Sequence, residues 1–133
     1  MHKTFLFVVC ILLSFCGFTQ FESVCVDRFE ELMIATNNRQ LIDIRTPMEF
    51  KEGRIPYAKN IDYLNTEFRT KVSRLNREEP VLIYCARGLR SSSAMEIFRE
   101  EGFQTVFELD GGIYAWLFAQ RNPLKNDGVS TTL

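Results

Sequence analysis

The sequence predicts an α/β fold in which one largely parallel sheet is flanked by helices. Short apolar runs at residues 40–44, 81–84 and 103–109 are typical of buried strands. The segments between them carry apolar residues at helical spacing, and this alternation is the pattern of βαβ units. The most hydrophobic strand runs directly into Cys85 and a short basic loop. Because ligands of such sheets bind beyond the carboxyl ends of the strands, this loop is the first candidate for a functional site.

The first part of the domain is predicted from an edge strand and a capped helix. Residues 20–26 alternate apolar and polar side chains, which is compatible with an edge strand. Asp27 and Glu30 have the spacing of a capping box, so we expect a helix over residues 28–36 with Asp27 as its N-cap. The two asparagines at 37 and 38 would end that helix.

A second capping box follows the strand at residues 40–44. Thr46 and Glu49 have the required spacing, with a proline in the first helical position, and a short helix is predicted over residues 47–52. Gly53 suits its C-terminus.

The remaining helices are predicted from their apolar faces and end signals. One covers residues 66–75, one begins at Ser91 and stops at Gly102, and one follows Gly112. We therefore expect a single domain over residues 20–124 and a flexible polar tail over 125–133.

Cys85 is the strongest candidate for a reactive group. It stands between a strand and the predicted start of a helix, where unpaired backbone N–H groups and the helix dipole favour negative charge. Gly88 permits the torsions that a turn of converging amides needs, and Arg87 and Arg90 add two positive charges. Such surroundings lower the pKa of a thiol and make it a nucleophile. Alone, a cysteine at a strand end is more often a small buried hydrophobe.

A second pair of polar residues lies at the end of the strand over residues 40–44. Arg45 follows this strand as Cys85 follows its own, so both are expected at the same edge of the sheet. Asp43 and Arg45 either orient the loop or an anion, or form a structural ion pair. The sequence leaves both interpretations open.

Composition excludes several classes of function. With 133 residues, 46% hydrophobic and 25% charged, the chain has the size and composition of one globular domain. A formal net charge of -1, without a basic stripe, argues against nucleic-acid binding. The only histidine is His2, so neither a zinc site nor a cysteine-histidine dyad is expected. We expect no metal and no organic cofactor.

Residues 1–19 resemble a secretory signal peptide. A basic start precedes an apolar run that is too short to span a bilayer, and small residues at the end suggest cleavage after Thr19. The domain would then be exported to the periplasm or cell envelope. Lipoprotein processing, with a lipid anchor on Cys16, is the alternative. Export would leave Cys25 and Cys85, and the sequence does not show whether they meet.

Four segments, in order along residues 27–121, together resemble a single-domain rhodanese of the rhodanese-like sulfurtransferase family. The segments are residues 41–45, residues 49–50 with 53–61, the six-residue loop 85–90, and residues 110–116. Two departures are visible, because Arg54 stands where the family commonly has histidine and Tyr57 where it commonly has glycine.

The resemblance implies a five-stranded parallel sheet between helices, with Cys85 as the nucleophile. Cys85 would take sulfane sulfur from thiosulfate, a polysulfide or another persulfide and pass it to a thiol or cyanide. The anionic donor would be bound by the loop, with Arg45 as a further candidate and Asp43 supporting the loop. The loop residues are Ala86, Arg87, Gly88, Leu89, Arg90 and Ser91. Arg90 could instead point inward and brace the loop. The protein is expected to be a monomer or weak dimer.

Two other functions stay open. A non-catalytic sulfur carrier or binding module would keep the same cysteine. A cysteine phosphatase or arsenate reductase would also hold an anion beside a thiolate, but tyrosine-phosphatase chemistry places arginine six positions after the cysteine. That position is Ser91 here, and Arg90 comes one residue early.

Overall fold

The structure is a computed structural model that describes residues 17–36 and 40–121. Its described part contains one parallel five-stranded sheet of order β1-β5-β4-β2-β3. The elements are β1 Gln20–Val24, α1 Val26–Ala35, β2 Gln40–Asp43, α2 Pro47–Glu52, β3 Lys59–Asn60, α3 Phe68–Val72, β4 Val81–Tyr84, α4 Leu89–Glu100, β5 Thr105–Leu109 and α5 Gly112–Arg121. The predicted α/β fold with a parallel sheet is confirmed, and β1 is an edge strand as expected.

Apolar side chains alternate between the two faces of the sheet and create two cores. Ile42, Ile83 and Val106 pack with buried residues of α3 and α4 on one face. On the other face, strand residues such as Leu82 and Phe107 pack with α1 and the start of α5. A parallel sheet covered on both faces needs continuous apolar strands, and β4 is buried at all of its positions.

The register of β2 and β4 brings the predicted site residues to one edge. Asp43 is paired with Tyr84, so the residues that follow these two strands emerge side by side. The expectation that Arg45 and Cys85 open onto the same edge is therefore confirmed.

The capping box predicted at Asp27 is wrong. Helix α1 begins at Val26, and its N-cap is Cys25, whose side chain makes no capping hydrogen bond. The carbonyl of Cys25 accepts the N–H of Phe29 at 2.9 Å, so the chain enters the helix directly from β1. Asp27 lies in the first turn, where its negative charge interacts favourably with the helix dipole.

The second capping box is confirmed. The Thr46 side chain accepts the N–H of Glu49, and the Glu49 carboxylate accepts the N–H of Thr46 at 2.8 Å. Helix α2 has the predicted bounds and ends at Gly53.

Other element boundaries also differ from the predictions, and β1 and β2 end at Val24 and Asp43 rather than at residues 26 and 44. Helix α3 covers only Phe68–Val72, and residues 73–75 continue it as hydrogen-bonded turns. Helix α4 begins at Leu89, two residues early, because Gly88 is left-handed at φ 97° and its carbonyl already accepts the N–H of Ser92. Strand β5 begins at Thr105 rather than at 103.

Several predicted segments lie outside the described residues. They are the asparagines at 37 and 38, residues 1–16 of the predicted signal peptide, and the tail over 125–133. Within the described ranges, no helix is long and apolar enough to cross a membrane.

Candidate active site

Cys85 lies at the carboxyl end of β4, the middle strand of the sheet. Its side chain belongs to the core on the α4 face, and the residue is only 1% exposed. The chain then turns through residues 86–88 into α4, whose first turn carries Arg90 and Ser91. The structure therefore brings the predicted loop together around one sulfur atom.

Three hydrogen-bonding groups contact the Cys85 sulfur. The N–H of Gly88 donates to Sγ at 3.1 Å, and the N–H of Ser91 donates at 3.5 Å. The Ser91 hydroxyl is also 3.5 Å from Sγ. The left-handed conformation of Gly88 makes this convergence possible, because it turns the backbone so that amides on both sides of the turn face inward.

These contacts make Cys85 more acidic than an ordinary cysteine. Burial by itself raises the pKa of the thiol, since the charged form is poorly solvated. Hydrogen bonds from the Ser91 hydroxyl and from the amides of Ser91, Arg87 and Gly88 act in the opposite direction and leave the pKa of Cys85 lowered. Backbone amides and one hydroxyl thus stabilise the thiolate form of Cys85, as a protonated histidine does in a cysteine-histidine pair.

The start of α5 is hydrogen-bonded to the backbone of the loop. The N–H of Ile113 donates to the carbonyl of Cys85 at 2.9 Å, and the N–H of Tyr114 donates to the carbonyl of Ala86 at 3.2 Å. Gly112 has φ 60°, and a Cβ added there would lie 2.5 Å from the Cys85 carbonyl oxygen. The backbone of α5 can approach the loop only because this residue has no side chain.

Arg90 is hydrogen-bonded to Glu49 rather than to the sulfur and braces the loop against α2. Its two terminal nitrogens donate to the carboxylate of Glu49 at 2.9 and 2.8 Å. The same carboxylate caps α2 through Thr46. The sequence left two roles open for Arg90, binding the donor anion or bracing the loop. The structure shows that Arg90 braces the loop.

The hydrogen bonds of Arg90, together with those of Thr46, hold the pKa of Glu49 down to about 2 despite its partial burial. Glu49 is therefore charged at neutral pH. The loop and α2 are joined by a bidentate, charge-assisted contact.

Arg87 is the loop cation that remains exposed. Its guanidinium lies over the ring of Tyr114, 5.4 Å from the centroid. No carboxylate of the described residues lies within ion-pair distance of it. Leu89, the other outward residue of the loop, is also exposed and contributes no polar group.

Asp43 and Arg45 form a buried ion pair beside the loop. The Arg45 Nη2 atom donates to Asp43 at 2.6 Å and to the carbonyl of Gly53 at 2.6 Å. Neither side chain forms a hydrogen bond with residues 85–91, although Arg45 lines a groove of about 330 Å³ with Glu49 and Tyr114. Of the two interpretations left open by the sequence, the structure shows the ion pair, and donor binding by Arg45 stays a prediction.

Several residues that build the site were missed by sequence reasoning. The sequence indicates Glu49 as a helix cap and as part of the segment 49–50 that resembles the family, but not its contact with Arg90, which spans 41 positions in the chain. Tyr84, whose hydroxyl accepts the N–H of Ile55 at 3.1 Å, and the buried carboxylate of Glu108 gave no signal. In residues 17–36 and 40–121, no three histidine, cysteine, aspartate or glutamate side chains are grouped so as to hold a metal ion.

A parallel sheet whose strand-end cysteine is surrounded by loop amides is typical of proteins that bind an anion beside a thiolate. Comparison with known proteins shows to which family of this class the chain belongs. The model of the family described as "Rhodanese-like domain" matches residues 26–119. The thiosulfate sulfurtransferase GlpE of Pseudomonas aeruginosa (strain LESB58) is 34% identical over 80 residues, which cover 60% of this chain and 71% of that protein. The uncharacterized protein YqhL of Bacillus subtilis (strain 168) is 32% identical over 87 residues, covering 65% and 68%.

Solved structures agree. A rhodanese-related protein from Thermoplasma volcanium superimposes with a TM-score of 0.64 at 29% identity, covering 73% of this chain and 91% of that one. The chain belongs to the rhodanese-like domain family, and the predicted resemblance is confirmed.

The contact between Gly112 and the loop can be tested against a matched glycine. Gly102 also has a positive φ, but a Cβ there would meet only the Arg77 side chain at 3.8 Å. We expect Gly102→Ala to cost roughly 1–2 kcal/mol of backbone strain. Gly112→Ala should cost about 1–3 kcal/mol more, because its Cβ collides with backbone atoms. Urea denaturation measures both, and equal losses would contradict the proposed close contact.

The brace between Glu49 and Arg90 should give stability that depends on pH. Because the pKa of Glu49 falls from 4.5 to about 2 on folding, the gain is complete above pH 4.5 and is lost as the pH falls towards 2. Glu49→Gln removes the charge but can keep the helix cap. Solvent screening limits the expected difference at neutral pH to about 1 kcal/mol.

Thermal unfolding of both proteins across this pH range would reveal the trend. Wild type should be the more stable at pH 7, and the two curves should converge towards pH 2. A difference that stays constant over the whole range would show that the brace is not electrostatic.

Proposed function

We propose that the protein is a sulfurtransferase that carries sulfane sulfur as a persulfide on Cys85. The observation that carries the proposal is the cradle around Sγ, in which the amides of Gly88 and Ser91 and the Ser91 hydroxyl all face the sulfur. A buried thiolate with such donors is a nucleophile, and the same donors can hold the negative charge of a terminal persulfide sulfur.

The cycle that this site supports has two displacements. The Cys85 thiolate attacks the outer sulfur of thiosulfate, the sulfur–sulfur bond of the donor breaks, and sulfite leaves with the bonding electrons. Cyanide or a thiolate then attacks the terminal sulfur of the persulfide. The new sulfur–sulfur bond breaks, the acceptor leaves with the sulfur, and the Cys85 thiolate is regenerated. No cofactor enters this balance.

The two loop arginines take different parts in this proposal. Arg90 is committed to Glu49 and shapes the loop. Arg87 is exposed, has no carboxylate partner among the described residues and attracts the anionic donor to the loop. The relative named thiosulfate sulfurtransferase supports the choice of thiosulfate as the first donor to test.

The position six residues after Cys85 argues against phosphatase chemistry. It is Ser91, whose amide and hydroxyl both contact Sγ. The neighbouring Arg90 is turned away to Glu49. The guanidinium that a phosphate ester would need at this place is therefore not directed at the sulfur.

The proposal predicts that one sulfur atom is added to Cys85 and turned over. Protein incubated with thiosulfate should gain the mass of one sulfur and yield thiocyanate with cyanide. Cys85→Ser should abolish both, whereas Cys25→Ser, which changes the other described cysteine, should leave both intact. A persulfide without thiocyanate would indicate a carrier that needs another acceptor. An unmodified thiol together with hydrolysis of p-nitrophenyl phosphate would overturn the proposal.

Removal of the Arg87 charge should weaken donor capture rather than the chemical step. We expect Arg87→Gln to raise KM for thiosulfate severalfold, to change kcat little and to reduce the dependence of kcat/KM on ionic strength. Arg74→Gln removes a positive charge at an exposed position outside the loop and serves as the control. A fall in kcat with an unchanged KM would place Arg87 in the loop architecture instead.

We also propose that the domain is exported, with residues 1–19 as a signal peptide. Strand β1 begins at Gln20, so cleavage after Thr19 leaves β1 and the described elements that follow it intact. Expression of the full sequence in a bacterium that exports proteins, followed by intact-mass analysis, should yield a chain that starts at Gln20. A chain that starts at an acylated Cys16 would support the lipoprotein route, and an uncleaved chain would contradict both.

A further inference from the structure

A groove of about 330 Å³ lies beside the active loop and has no part in the sulfur chemistry proposed above. Such a volume is near the lower end, roughly 300 Å³, of the pockets that hold small molecules. Ile113 and Tyr114 belong to its lining, and their N–H groups are bonded to the carbonyls of Cys85 and Ala86, so the groove adjoins the loop. The other lining residues used below are Arg45, Glu49, Glu52, Arg54 and Leu117.

Arg45 brings a buried positive charge to this groove. The residue is only 6% exposed, its Nε and Nη2 atoms donate to Asp43, and Nη2 also donates to the carbonyl of Gly53. Nη1 forms no hydrogen bond with the described residues, yet none of their buried side-chain nitrogen and oxygen atoms lacks a partner. Nη1 is therefore not sealed off from solvent. Since Arg45 lines the groove, the groove is where these N–H groups are available to a ligand.

Arg54 adds a second guanidinium to the same groove. It is exposed, its guanidinium lies over the Phe50 ring at 4.3 Å from the centroid, and it forms no ion pair with the described residues. Histidine, which is common in the family at this position, is largely neutral at neutral pH, whereas arginine is always charged. The second charge is therefore a property of this chain rather than of its family.

The other lining residues restrict which anion the groove can take. Glu49 is paired with Arg90 at 2.8 Å, but Glu52 is exposed and has no cationic partner within 4.0 Å among the described residues. Glu52 therefore repels a dianion such as thiosulfate more strongly than it repels a single carboxylate. Ile113 and Leu117 offer apolar contact to a hydrocarbon stem, which thiosulfate does not have. The lining thus fits an organic monocarboxylate better than an inorganic donor.

We propose that this groove binds the carboxylate of a small organic thiol that accepts the sulfur, with Arg45 and Arg54 as its partners. The inference rests on the proposed role of Cys85 as a sulfur carrier. The acceptor, as its thiolate, attacks the outer sulfur of the Cys85 persulfide and forms a new sulfur–sulfur bond. The bond between that sulfur and Sγ breaks, and Cys85 leaves as the thiolate. The acceptor departs as a persulfide that still carries its carboxylate.

Tyr114 connects the groove to the active loop. It lines the groove, its N–H donates to the carbonyl of Ala86, and its ring lies under the guanidinium of Arg87. An acceptor whose carboxylate is held in the groove is therefore kept beside the loop that carries the persulfide. Such anchoring raises the local concentration of the attacking thiol, so a thiol with a carboxylate should react faster than its own reactivity accounts for.

Binding to the groove can be tested without sulfur transfer. The probes are 3-(methylthio)propionate and 2-(methylthio)ethanol, two thioethers that differ in carrying a carboxylate or a hydroxyl. Titrated into ¹⁵N-labelled Cys85→Ser protein, the carboxylate probe should shift the amide resonances of Gly53, Arg54 and Tyr114, and the hydroxyl probe should not.

Variants separate the groove from general surface charge. Arg54→Gln should weaken binding of the carboxylate probe roughly threefold or more, the effect of one exposed charge pair. Lys51→Gln removes an exposed charge from α2 outside the groove lining and should leave the binding unchanged. Arg45 is left in place, because its loss would strand the buried Asp43. Equal shifts with both probes, no shifts, or shifts confined to residues 86–91 would overturn the site.

The acceptor role is tested on Cys25→Ser protein loaded with a persulfide on Cys85. The rate of sulfur transfer is measured with 3-mercaptopropionate and with 2-mercaptoethanol, and their ratio is compared between variants so that intrinsic thiol reactivity cancels. Arg54→Gln should lower this ratio roughly threefold or more, and Lys51→Gln should not change it. An unchanged ratio in Arg54→Gln would overturn the acceptor role. If Cys85 takes up no sulfur from thiosulfate or polysulfide, the proposed function and the acceptor role both fail, while probe binding still decides whether the groove is a carboxylate site.

Discussion

The structure depends on one constraint, a thiol that is almost fully buried and yet has a lowered pKa. Burial favours the neutral thiol, since the protein interior solvates charge poorly. The loop after β4 overcomes this preference by directing the amides of Gly88 and Ser91 and the Ser91 hydroxyl at the sulfur. The left-handed turn at Gly88, the early start of α4 and the position of the site at the end of a central strand all serve this arrangement.

Such a loop must be held in shape by its neighbours, because its own amides are used on the sulfur. The first N–H groups of α5 bind the carbonyls of Cys85 and Ala86, and Gly112 permits the close approach. On the other side, Glu49 fixes Arg90 and also caps α2. Two arginines near the site are therefore held in ion pairs within the protein, Arg45 with Asp43 and Arg90 with Glu49. Of the two loop arginines, Arg87 is the one that is exposed to solvent.

The fold could be predicted from the sequence because its central strands are continuous apolar runs. The second capping box could be predicted because its two residues are close in sequence. Thr46 and Glu49 lie one helical turn apart, so their contact depends on little besides the helix itself. The first capping box had the same pattern and failed, since β1 carries the chain straight into α1 and Cys25 takes the N-cap position. The position of Cys85 and its loop could also be predicted, because strand end, glycine and helix start are consecutive in the chain.

The rest of the site depends on contacts between residues far apart in sequence. The pairs of Glu49 with Arg90 and of Ser23 with Glu108 are fixed by sheet order and helix packing, which local patterns do not encode. Glu108 also looks like an ordinary outward residue of a strand until β1 and α4 cover it. The sequence leaves the direction of Arg90 open, and its bonds to Glu49 of α2 show that it braces the loop.

The central claim is that hydrogen bonds from the loop, rather than a basic side chain, ionise Cys85. Its most direct test is the rate of iodoacetamide alkylation as a function of pH, in a Cys25→Ser protein. The folded protein should show a midpoint below that of the same thiol in urea, where ordinary cysteine titrates near about 8.5, and Ser91→Ala should move the midpoint upwards. A folded midpoint at or above the value in urea would contradict the account.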